Sequence, residues 1–368
     1  MKTNIAVFFG GESVEHDISI LTGVEALKNI NKDKYKIFPI YITKDGKWQL
    51  YDDVKEPKDL KERRSKNVFF MAGDNHLREK FSIFNIDIAE IHSALLCMHG
   101  TNGEDGVLQG ILEASGVAYT SAGVKSSAIT MDKVLTKTIL KEKGFNVVDG
   151  VEVHKSEWYE DYKSIVEKIE SLGYPLIVKP ANLGSSIGVS AVETRGELHE
   201  AIELVFEMDE KCLVEMKIDA TELNCSAMRV GDVETSEVEM IVKNHDFLTF
   251  EDKYIAGDKG KLKGGDLMQS THKIPAPISD ELKDEISFIT SGVYKALECD
   301  GVIRVDFMLS ADGVLYVNEV NTIPGSLAFY LWKDKFNFSE LIDNLIMQSL
   351  MREARKGNLT RSFESHIV

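Results

Sequence analysis

Polar side chains alternate with apolar ones along two short segments near the end of the chain. These segments, 302–309 and 314–321, flank a turn signal at 311–313, so we expect two antiparallel strands. The polar residues in question are Arg304, Asp306, Glu319 and Asn321. Three of them offer oxygen atoms, which are the ligands that a hard cation such as Mg²⁺ prefers. This pair of strands could therefore hold a divalent cation against a phosphorylated substrate.

The length of the connecting loop decides whether these side chains meet. A loop of two or four residues pairs Arg304 with Glu319 and Asp306 with Val317, and it places the polar side chains on one face. A three-residue loop would shift the register and separate them. The alternative interpretation is a solvated sheet face with a cross-strand Arg–Glu ion pair. Both interpretations are open at this point.

A second polar segment, residues 179–188, reads KPANLGSSIG. Its glycines, serines and Lys179 offer backbone N–H groups, hydroxyls and a positive charge to a phosphate. The string GSSIG also matches the G-x-S-x-G turn of serine hydrolases around Ser186. That turn needs a strand before the serine and a helix after it, whereas a proline precedes this loop and a strand is predicted to follow. We therefore reject a serine hydrolase, and a purely structural glycine loop is the remaining alternative.

Any nucleotide must be held without the common glycine motifs, because the chain contains neither G-x-x-x-x-G-K-[ST] nor G-x-G-x-x-G. Lys133 and Lys179 are candidates for phosphate contacts. Glu215 and Glu222 could accept hydrogen bonds from an adenine amino group or from ribose hydroxyls. Each could also be an ordinary surface charge.

Two further polar loops follow predicted strands in the first part of the chain. Residues 10–17 contain Glu15, whose carboxylate could bind an ammonium group, and residues 99–106 contain His99, which could meet a ligand carboxylate. The alternative for a single Glu or His at a strand–helix turn is a helix-capping contact.

The elements that carry these residues alternate between strands and helices, which predicts an α/β and α+β protein. An apolar strand at 4–9 leads through two glycines into a helix, which is an open α/β beginning. We expect three domains, over residues 1–122, 123–218 and 219–368. A Gly/Lys-rich lid loop is expected at about 245–270.

Three expectations concern local structure. The amphipathic segments 126–143 and 159–172 each predict one continuous helix. The charged segment 45–78 is interpreted as irregular surface elaboration rather than core.

The composition excludes several classes of partner. The 368 residues carry 43 basic and 60 acidic side chains, a formal net charge of −17, which repels nucleic acid and anionic membranes. Four scattered cysteines form no metal-ligand or C-x-x-C spacing, and no apolar segment is long enough for a signal sequence or membrane span. We expect a cytoplasmic protein with no nucleic-acid or membrane partner.

Taken together, these segments closely resemble the D-alanine–D-alanine ligases of the ATP-grasp superfamily. The matching segments, in the family's order, are GGESVEHDIS at 10–19, HGTNGEDGVLQG at 99–110, YTSAGVKSSAITMDK at 119–133, IVKPANLGSSIGVS at 177–190, RVDF at 304–307 and NEVNTIPG at 318–325. The resemblance implies a three-domain ATP-grasp fold with an N-terminal open α/β domain that binds substrate. ATP would lie between the central and C-terminal domains.

The implied reaction joins two D-alanines for peptidoglycan precursor synthesis, through an acyl phosphate and with ATP converted to ADP. The resemblance implies roles in nucleotide binding for Lys133, Lys179, Ser186, Glu215, Lys217, Ile218, Glu222 and Lys253. It implies that Glu15 and Ser185 bind the first ammonium and that His99 faces the first carboxylate. Arg304 and the N–H of Gly325 would stabilise the oxyanion of the tetrahedral intermediate.

Magnesium is the implied metal, as two ions held by Asp306, Glu319 and Asn321, with Mn²⁺ as a possible substitute. Lys253 and Tyr254 match the family's lid, where Lys253 would reach the γ-phosphate and Tyr254 would join Glu15 and Ser185. A tyrosine at this position is typical of members that add D-alanine rather than D-lactate. The family resemblance also implies a homodimer.

One segment departs from the family pattern. The family places a serine for the second substrate's carboxylate where this chain has Tyr330, within SLAFYLW at 326–332. Ser326 or the Tyr330 hydroxyl could take over that contact. The alternatives are therefore an ATP-grasp ligase with a different second substrate, such as D-serine or another amino acid, and a catalytically silent nucleotide-binding protein. The intact charged residues argue against the silent protein.

Overall fold

The computed structural model describes residues 2–81, 84–242 and 272–360, and three β-sheets organise this part of the chain. The lid segment expected at about 245–270, with Lys253 and Tyr254, lies outside the described residues. None of the helices in the described ranges combines the length and apolar character that crossing a membrane requires.

The first sheet has eight strands in the order β6-β5-β4-β3-β2-β1-β7-β8. The strands are β1 Thr3–Gly10, β2 Tyr35–Ile42, β3 Trp48–Tyr51, β4 Ser65–Met71, β5 Asp74–Phe81, β6 Phe84–Glu90, β7 Ser93–Leu96 and β8 Ala118–Tyr119. The helices of this part are α1 His16–Asn29, α2 Asp59–Glu62 and α3 Val107–Ser115. Strands β1, β2, β7 and β8 are parallel to one another, so the predicted open α/β beginning is confirmed.

The expectation of irregular structure at 45–78 was wrong. This segment supplies β3, β4 and most of β5, which extend the sheet by antiparallel pairing. These strands bury few side chains, namely Leu50 and Tyr51 of β3, Val68 of β4 and Leu77 of β5. With so few buried positions, the apolar–polar alternation that predicts a strand is weak in this segment.

The second sheet has four strands in the order β11-β10-β12-β9, all antiparallel. Its strands are β9 Gly150–His154, β10 Leu176–Pro180, β11 Ser190–Val192 and β12 Lys211–Met216. The helices of this region are α4 Val124–Met131, α5 Lys133–Glu142, α6 Lys155–Glu160, α7 Tyr162–Glu170 and α8 Arg195–Phe206. Each of the two segments that were predicted as single helices therefore holds a pair of helices.

The break between α4 and α5 occurs at Asp132, whose backbone is extended (ψ 104°). Its carboxylate accepts hydrogen bonds from the backbone N–H groups of Val134 and Leu135, at 2.9 and 3.0 Å, and it forms an ion pair with Lys211. A side chain that caps the first turn of a helix in this way competes with continuation of the previous helix. As a result, Lys133 lies at the first turn of α5 instead of inside one long helix.

The third sheet has five strands in the order β15-β14-β13-β16-β17, all antiparallel. The strands are β13 Ala220–Val230, β14 Asp232–Ile241, β15 His272–Lys273, β16 Val302–Ser310 and β17 Leu315–Asn321. Helix α9 spans Asp280–Ala296, a tight turn spans Gly325–Leu331, and helix α10 spans Phe338–Gly357. Buried residues of this turn and of α10 belong to the same hydrophobic core as β1 and β7.

The predicted register of β16 and β17 was wrong, because the loop has three residues, 311–313, and Leu309 faces Leu315. Without compensation this register would place Asp306 and Glu319 on opposite faces. A β-bulge at Asn318 adds one residue to β17 and shifts the pairing, so that Asp306 lies opposite Glu319. The polar face of the hairpin is therefore restored by the bulge.

The cap at the start of α5 gives a stability prediction. We expect Asp132→Ala to lower the free energy of unfolding by about 1–2 kcal/mol, because it removes two cap hydrogen bonds and the partner of Lys211. Thr194→Ala, which removes the single cap bond of α8, is the matched control and should cost about 1 kcal/mol or less. Urea unfolding measures both, and a larger loss for Thr194→Ala would contradict the assignment.

Candidate active site

Glu15 lies at the start of α1 but makes no side-chain capping hydrogen bond, so the capping alternative was wrong for this residue. It is 8% exposed, and its carboxylate accepts a hydrogen bond from the Ser185 hydroxyl, although the two residues are 170 positions apart. Glycines make room for it, because a Cβ on Gly100 or Gly184 would lie 2.7 or 2.9 Å from its Oε2 atom. The predicted pairing of Glu15 with the 179–188 loop is thus present.

The loop that carries Ser185 connects β10 to β11. Ser185 and Ser186 both have left-handed backbone angles (φ 53° and 59°), which are uncommon for residues with side chains. A strand follows the loop, as expected, so the context of a serine hydrolase is missing. The Lys133 ammonium donates a hydrogen bond to the carbonyl of Leu183 in the same loop.

His99 is buried, and its Nε2 atom lies 2.9 Å from the Thr22 hydroxyl. The imidazole ring also forms a hydrogen bond with the backbone of Ile323, which belongs to the segment that follows β17. Burial lowers the pKa of His99 to about 4, and the nearby positive charge of Arg304 acts in the same direction. The imidazole is therefore neutral near pH 7.

Two lysines flank Glu215 on β12. Lys137 and Lys179 each form an ion pair with its carboxylate, and all three residues are buried. Burial acts to raise the pKa of Glu215, but the two lysine charges outweigh it and hold the pKa below its usual value. Burial together with Lys179 lowers the pKa of Lys137 to about 8. Sequence reasoning missed Lys137, although it lies one helical turn after Lys133.

The other predicted adenosine contacts follow β12 directly. Lys217 and Ile218 lie in the short link between β12 and β13, and the Lys217 N–H donates to the Pro175 carbonyl at 3.0 Å. Glu222 lies on β13 opposite Met308 of β16. The four predicted residues therefore follow one another from the end of β12 into the start of β13.

The polar face of the third sheet brings together the predicted metal ligands. Arg304 binds Asp306 through two hydrogen bonds of 2.6 and 2.7 Å, and the Asn321 amide lies 3.1 Å from an oxygen of Asp306. Glu319 lies directly opposite Asp306. No group of three or more His, Cys, Asp and Glu side chains is arranged to hold a metal within the described ranges. The set contains two carboxylates and one amide, and these oxygen donors fit Mg²⁺.

Tyr330 lies between Arg304 and Glu239, with its hydroxyl 3.4 Å from an atom of each. Glu239 is fully buried and is fixed by Asn224 at 2.9 Å and by His272 at 2.6 Å. Burial acts to raise the pKa of Glu239, but the hydrogen bond from His272 and the charge of Arg304 outweigh it and lower the pKa. Sequence reasoning missed Glu239 and His272, because only the register across the sheet brings them beside Arg304.

The turn after β17 begins at Gly325. The N–H of the next residue, Ser326, donates to the Thr22 hydroxyl at 3.3 Å, which also contacts His99. Residues 326–328 all have left-handed backbone angles (φ 50–53°). The predicted oxyanion donor Gly325 is thus positioned beside the first part of the chain.

Similar proteins are known for both parts of the chain. The family model described as D-ala D-ala ligase N-terminus matches residues 4–122, and the one described as D-ala D-ala ligase C-terminus matches residues 139–347. A curated D-alanine–D-alanine ligase of Thermosipho africanus is 45% identical over 364 residues, which cover 98% of this chain and 96% of that protein.

Solved structures show the same likeness. The VanG D-Ala:D-Ser ligase from Enterococcus faecalis aligns with a TM-score of 0.80 and 31% identity, over 95% of this chain and 100% of that chain. The D-alanine–D-alanine ligase from Bacillus anthracis complexed with ATP aligns with a TM-score of 0.70 and 29% identity, over 96% and 100% of the two chains.

The neutral state of His99 predicts a pH dependence of stability. Its pKa is about 4 in the fold and about 6.5 in an unfolded chain, so the unfolded state binds more protons between these values. Stability should therefore fall as the pH drops from about 6.5 to 4, by up to about 3 kcal/mol from this residue.

The measurement is urea unfolding across that pH range for the wild type and His99→Gln. The variant should show a shallower loss towards acid pH. His154→Gln, at a residue whose side chain is 47% exposed, is the control and should keep the wild-type slope. Equal slopes for His99→Gln and the wild type would contradict the buried neutral imidazole.

Proposed function

The chain belongs to the D-alanine–D-alanine ligase family, and we propose that the residues described above divide the ligase reaction among them in the following way. The enzyme is an ATP-dependent ligase that joins two D-alanines, and its dipeptide product serves peptidoglycan synthesis. The observation that carries the assignment of roles is the contact between Glu15 and Ser185, which brings the first part of the chain onto the glycine-rich loop.

Glu15 and Ser185 would bind the ammonium of the first D-alanine. An ammonium donates hydrogen bonds to carboxylate and hydroxyl oxygens, and the Glu15–Ser185 pair offers both kinds of oxygen at one place. His99 would face the first carboxylate as a neutral ring, because burial lowers its pKa. Its ring nitrogens contact Thr22 and the backbone of Ile323, so His99 would shape this side of the site through those contacts.

Lys133, Lys179 and the loop around Ser186 would hold the phosphates of ATP. In the structure Lys179 is paired with Glu215, so the phosphates would compete with that carboxylate for the lysine. Lys137 keeps Glu215 paired when Lys179 turns to a phosphate, which lowers the cost of the exchange. Glu215, Lys217, Ile218 and Glu222 would then surround the adenosine.

Asp306, Glu319 and Asn321 would hold two Mg²⁺ ions, and Mn²⁺ could replace them. Bound magnesium would neutralise negative charge on the phosphoryl group that is transferred. In the structure the Arg304 guanidinium donates two hydrogen bonds to Asp306. Metal binding by Asp306 would weaken these bonds and leave the guanidinium available to the substrate.

The first carboxylate would attack the γ-phosphorus, which forms an acyl phosphate and releases ADP. The amine of the second D-alanine would then attack the acyl carbon, and collapse of the tetrahedral intermediate would release phosphate and leave the peptide bond. Arg304 and the Gly325 N–H would stabilise the oxyanion, at roughly 3 kcal/mol per donor. Lys253 and Tyr254, outside the described residues, stay predicted lid contacts.

For the second carboxylate, we prefer Ser326 to Tyr330. Burial raises the pKa of Tyr330, so its phenol keeps its proton, and the ionised Glu239 can only accept it. The single O–H of Tyr330 is then used on Glu239, and its oxygen accepts from Arg304. We assign the carboxylate contact to Ser326 and an orienting role to Tyr330. Homodimer formation and a cytoplasmic location stay predictions from the family resemblance.

The activity test is ATP-dependent phosphate release with Mg²⁺, first on D-alanine alone and then on D-alanine paired with D-serine, D-lactate or L-amino acids. We expect turnover on D-alanine alone, with D-alanyl-D-alanine identified by mass. No product from D-alanine alone, with product from a mixed pair, would assign a different second substrate.

Glu319→Gln tests the metal assignment. We expect the loss of one carboxylate ligand to abolish turnover while thermal unfolding stays close to the wild type, because Glu319 lies on the polar face of β17 and outside the core. Glu237→Gln on β14, at a partly exposed residue paired with Lys283, is the matched control and should keep its activity. Near-normal turnover of Glu319→Gln at low Mg²⁺ would refute the assignment.

A further inference from the structure

Glu104 joins two loops that come from distant parts of the chain. One carboxylate oxygen accepts from the backbone N–H of Gly100 at 2.8 Å, and the other accepts from the backbone N–H of Ile323 at 3.1 Å. Gly100 is four positions from Glu104 in the same loop, whereas Ile323 is 219 positions away, after β17. The Glu104 side chain therefore bridges the loop after β7 and the segment at residues 322–326, which follows β17.

Both bridged segments carry groups to which we assign roles. The Gly100 side of the bridge adjoins Glu15, because a Cβ on Gly100 would meet that carboxylate at 2.7 Å. On the other side, Ile323 lies two residues before Gly325, the proposed oxyanion donor. Glu104 therefore links the two segments that carry the proposed substrate groups, together with the contacts of His99 and Thr22.

The carboxyl group of Glu104 is enclosed, although the residue as a whole is partly exposed. Burial and the nearby Glu15 carboxylate raise its pKa, while the two backbone N–H groups and Arg304 act in the opposite direction and favour the ionised form. An acid in such surroundings carries an unfavourable desolvation energy, which the hydrogen bonds across the two loops offset. A role in surface solubility does not account for this placement.

We propose that Glu104 is a positioning residue. It holds segment 322–326, which follows β17, against the loop at residues 99–106, so that Glu15 and Gly325 act on the same pair of substrates. This inference rests on the proposed function for the roles of Glu15 and Gly325. It adds a residue that contacts neither substrate and acts through the backbone of Ile323. Thr22 supports the same junction, since its hydroxyl accepts from the Ser326 N–H.

The test compares Glu104→Gln with Asp105→Asn in the full-length protein. A glutamine has the same shape but offers only one acceptor oxygen, so one of the two N–H groups would face a donor. Asp105 makes the same type of contact with the backbone N–H groups of Asn102 and Val107, at 2.8 and 3.1 Å. Asn102 lies in the same loop and Val107 is the first residue of α3, so Asp105→Asn controls for local order of this segment without touching residues 322–326.

We expect Glu104→Gln to lower kcat by about tenfold to a hundredfold, because small displacements of reacting groups are costly. The KM for ATP should stay within about twofold, since the lysines that would hold the phosphates lie on other segments and are fixed separately. Asp105→Asn should change kcat by less than about threefold. Equal losses in the two variants would overturn the proposal.

Hydrogen exchange of the amides in 322–326 gives a readout that does not depend on activity. Exchange in this turn should be faster in Glu104→Gln and unchanged in Asp105→Asn. Unchanged exchange in Glu104→Gln, or faster exchange with a normal kcat, would overturn the positioning role. A wild type that forms no D-alanyl-D-alanine would instead overturn the proposed function, and the exchange comparison would still decide whether Glu104 holds the turn.

Discussion

Pairing of buried charges is the constraint on which the rest of this site depends. Lys179 is paired with Glu215 and Arg304 with Asp306, and no more than 20% of any of these four side chains is exposed. Glu239 is fully buried and is held by Asn224 and His272. An isolated charge at such a position costs several kcal/mol, so each must have a partner within the fold. Binding of ATP and D-alanine must therefore exchange partners rather than expose charges. The second lysine beside Glu215 shows how the fold permits such an exchange.

Much of the scaffold could be predicted from the sequence, because periodicity and turn residues are local signals. The first strand, the glycine-rich loop and both strands of the 302–321 hairpin lie within two residues of their predicted bounds. The pairing of the hairpin could not be predicted, because a bulge at Asn318 depends on contacts across the sheet. The break at Asp132 was missed for a related reason, since an acidic residue in an amphipathic pattern is as typical of a helix surface as of a cap.

The candidate site also contains residues that local sequence patterns predict and residues that they do not. Residues in recognisable segments, such as Glu15 and Lys179, were predicted and are brought together with partners in the structure. Glu239, His272 and Glu104 were missed as functional residues, because their importance comes from partners that are distant in sequence. A single Glu or His carries no periodicity or spacing that indicates such a contact. Register and loop packing, rather than local pattern, determine this part of the site.

The turn after β17 shows how packing in the core can hold a strained backbone next to a proposed catalytic group, the N–H of Gly325. Three consecutive residues, 326–328, have left-handed angles, at a cost of roughly 1–3 kcal/mol each. Leu327 and Leu331 of the same turn are buried in the core shared with β1, and each buried leucine contributes about 1.5–3 kcal/mol. These terms are of similar size, so burial in the N-terminal core can offset the strain of the turn. Burial of Leu327 and Leu331 thus holds the backbone that follows Gly325 against the core that contains β1.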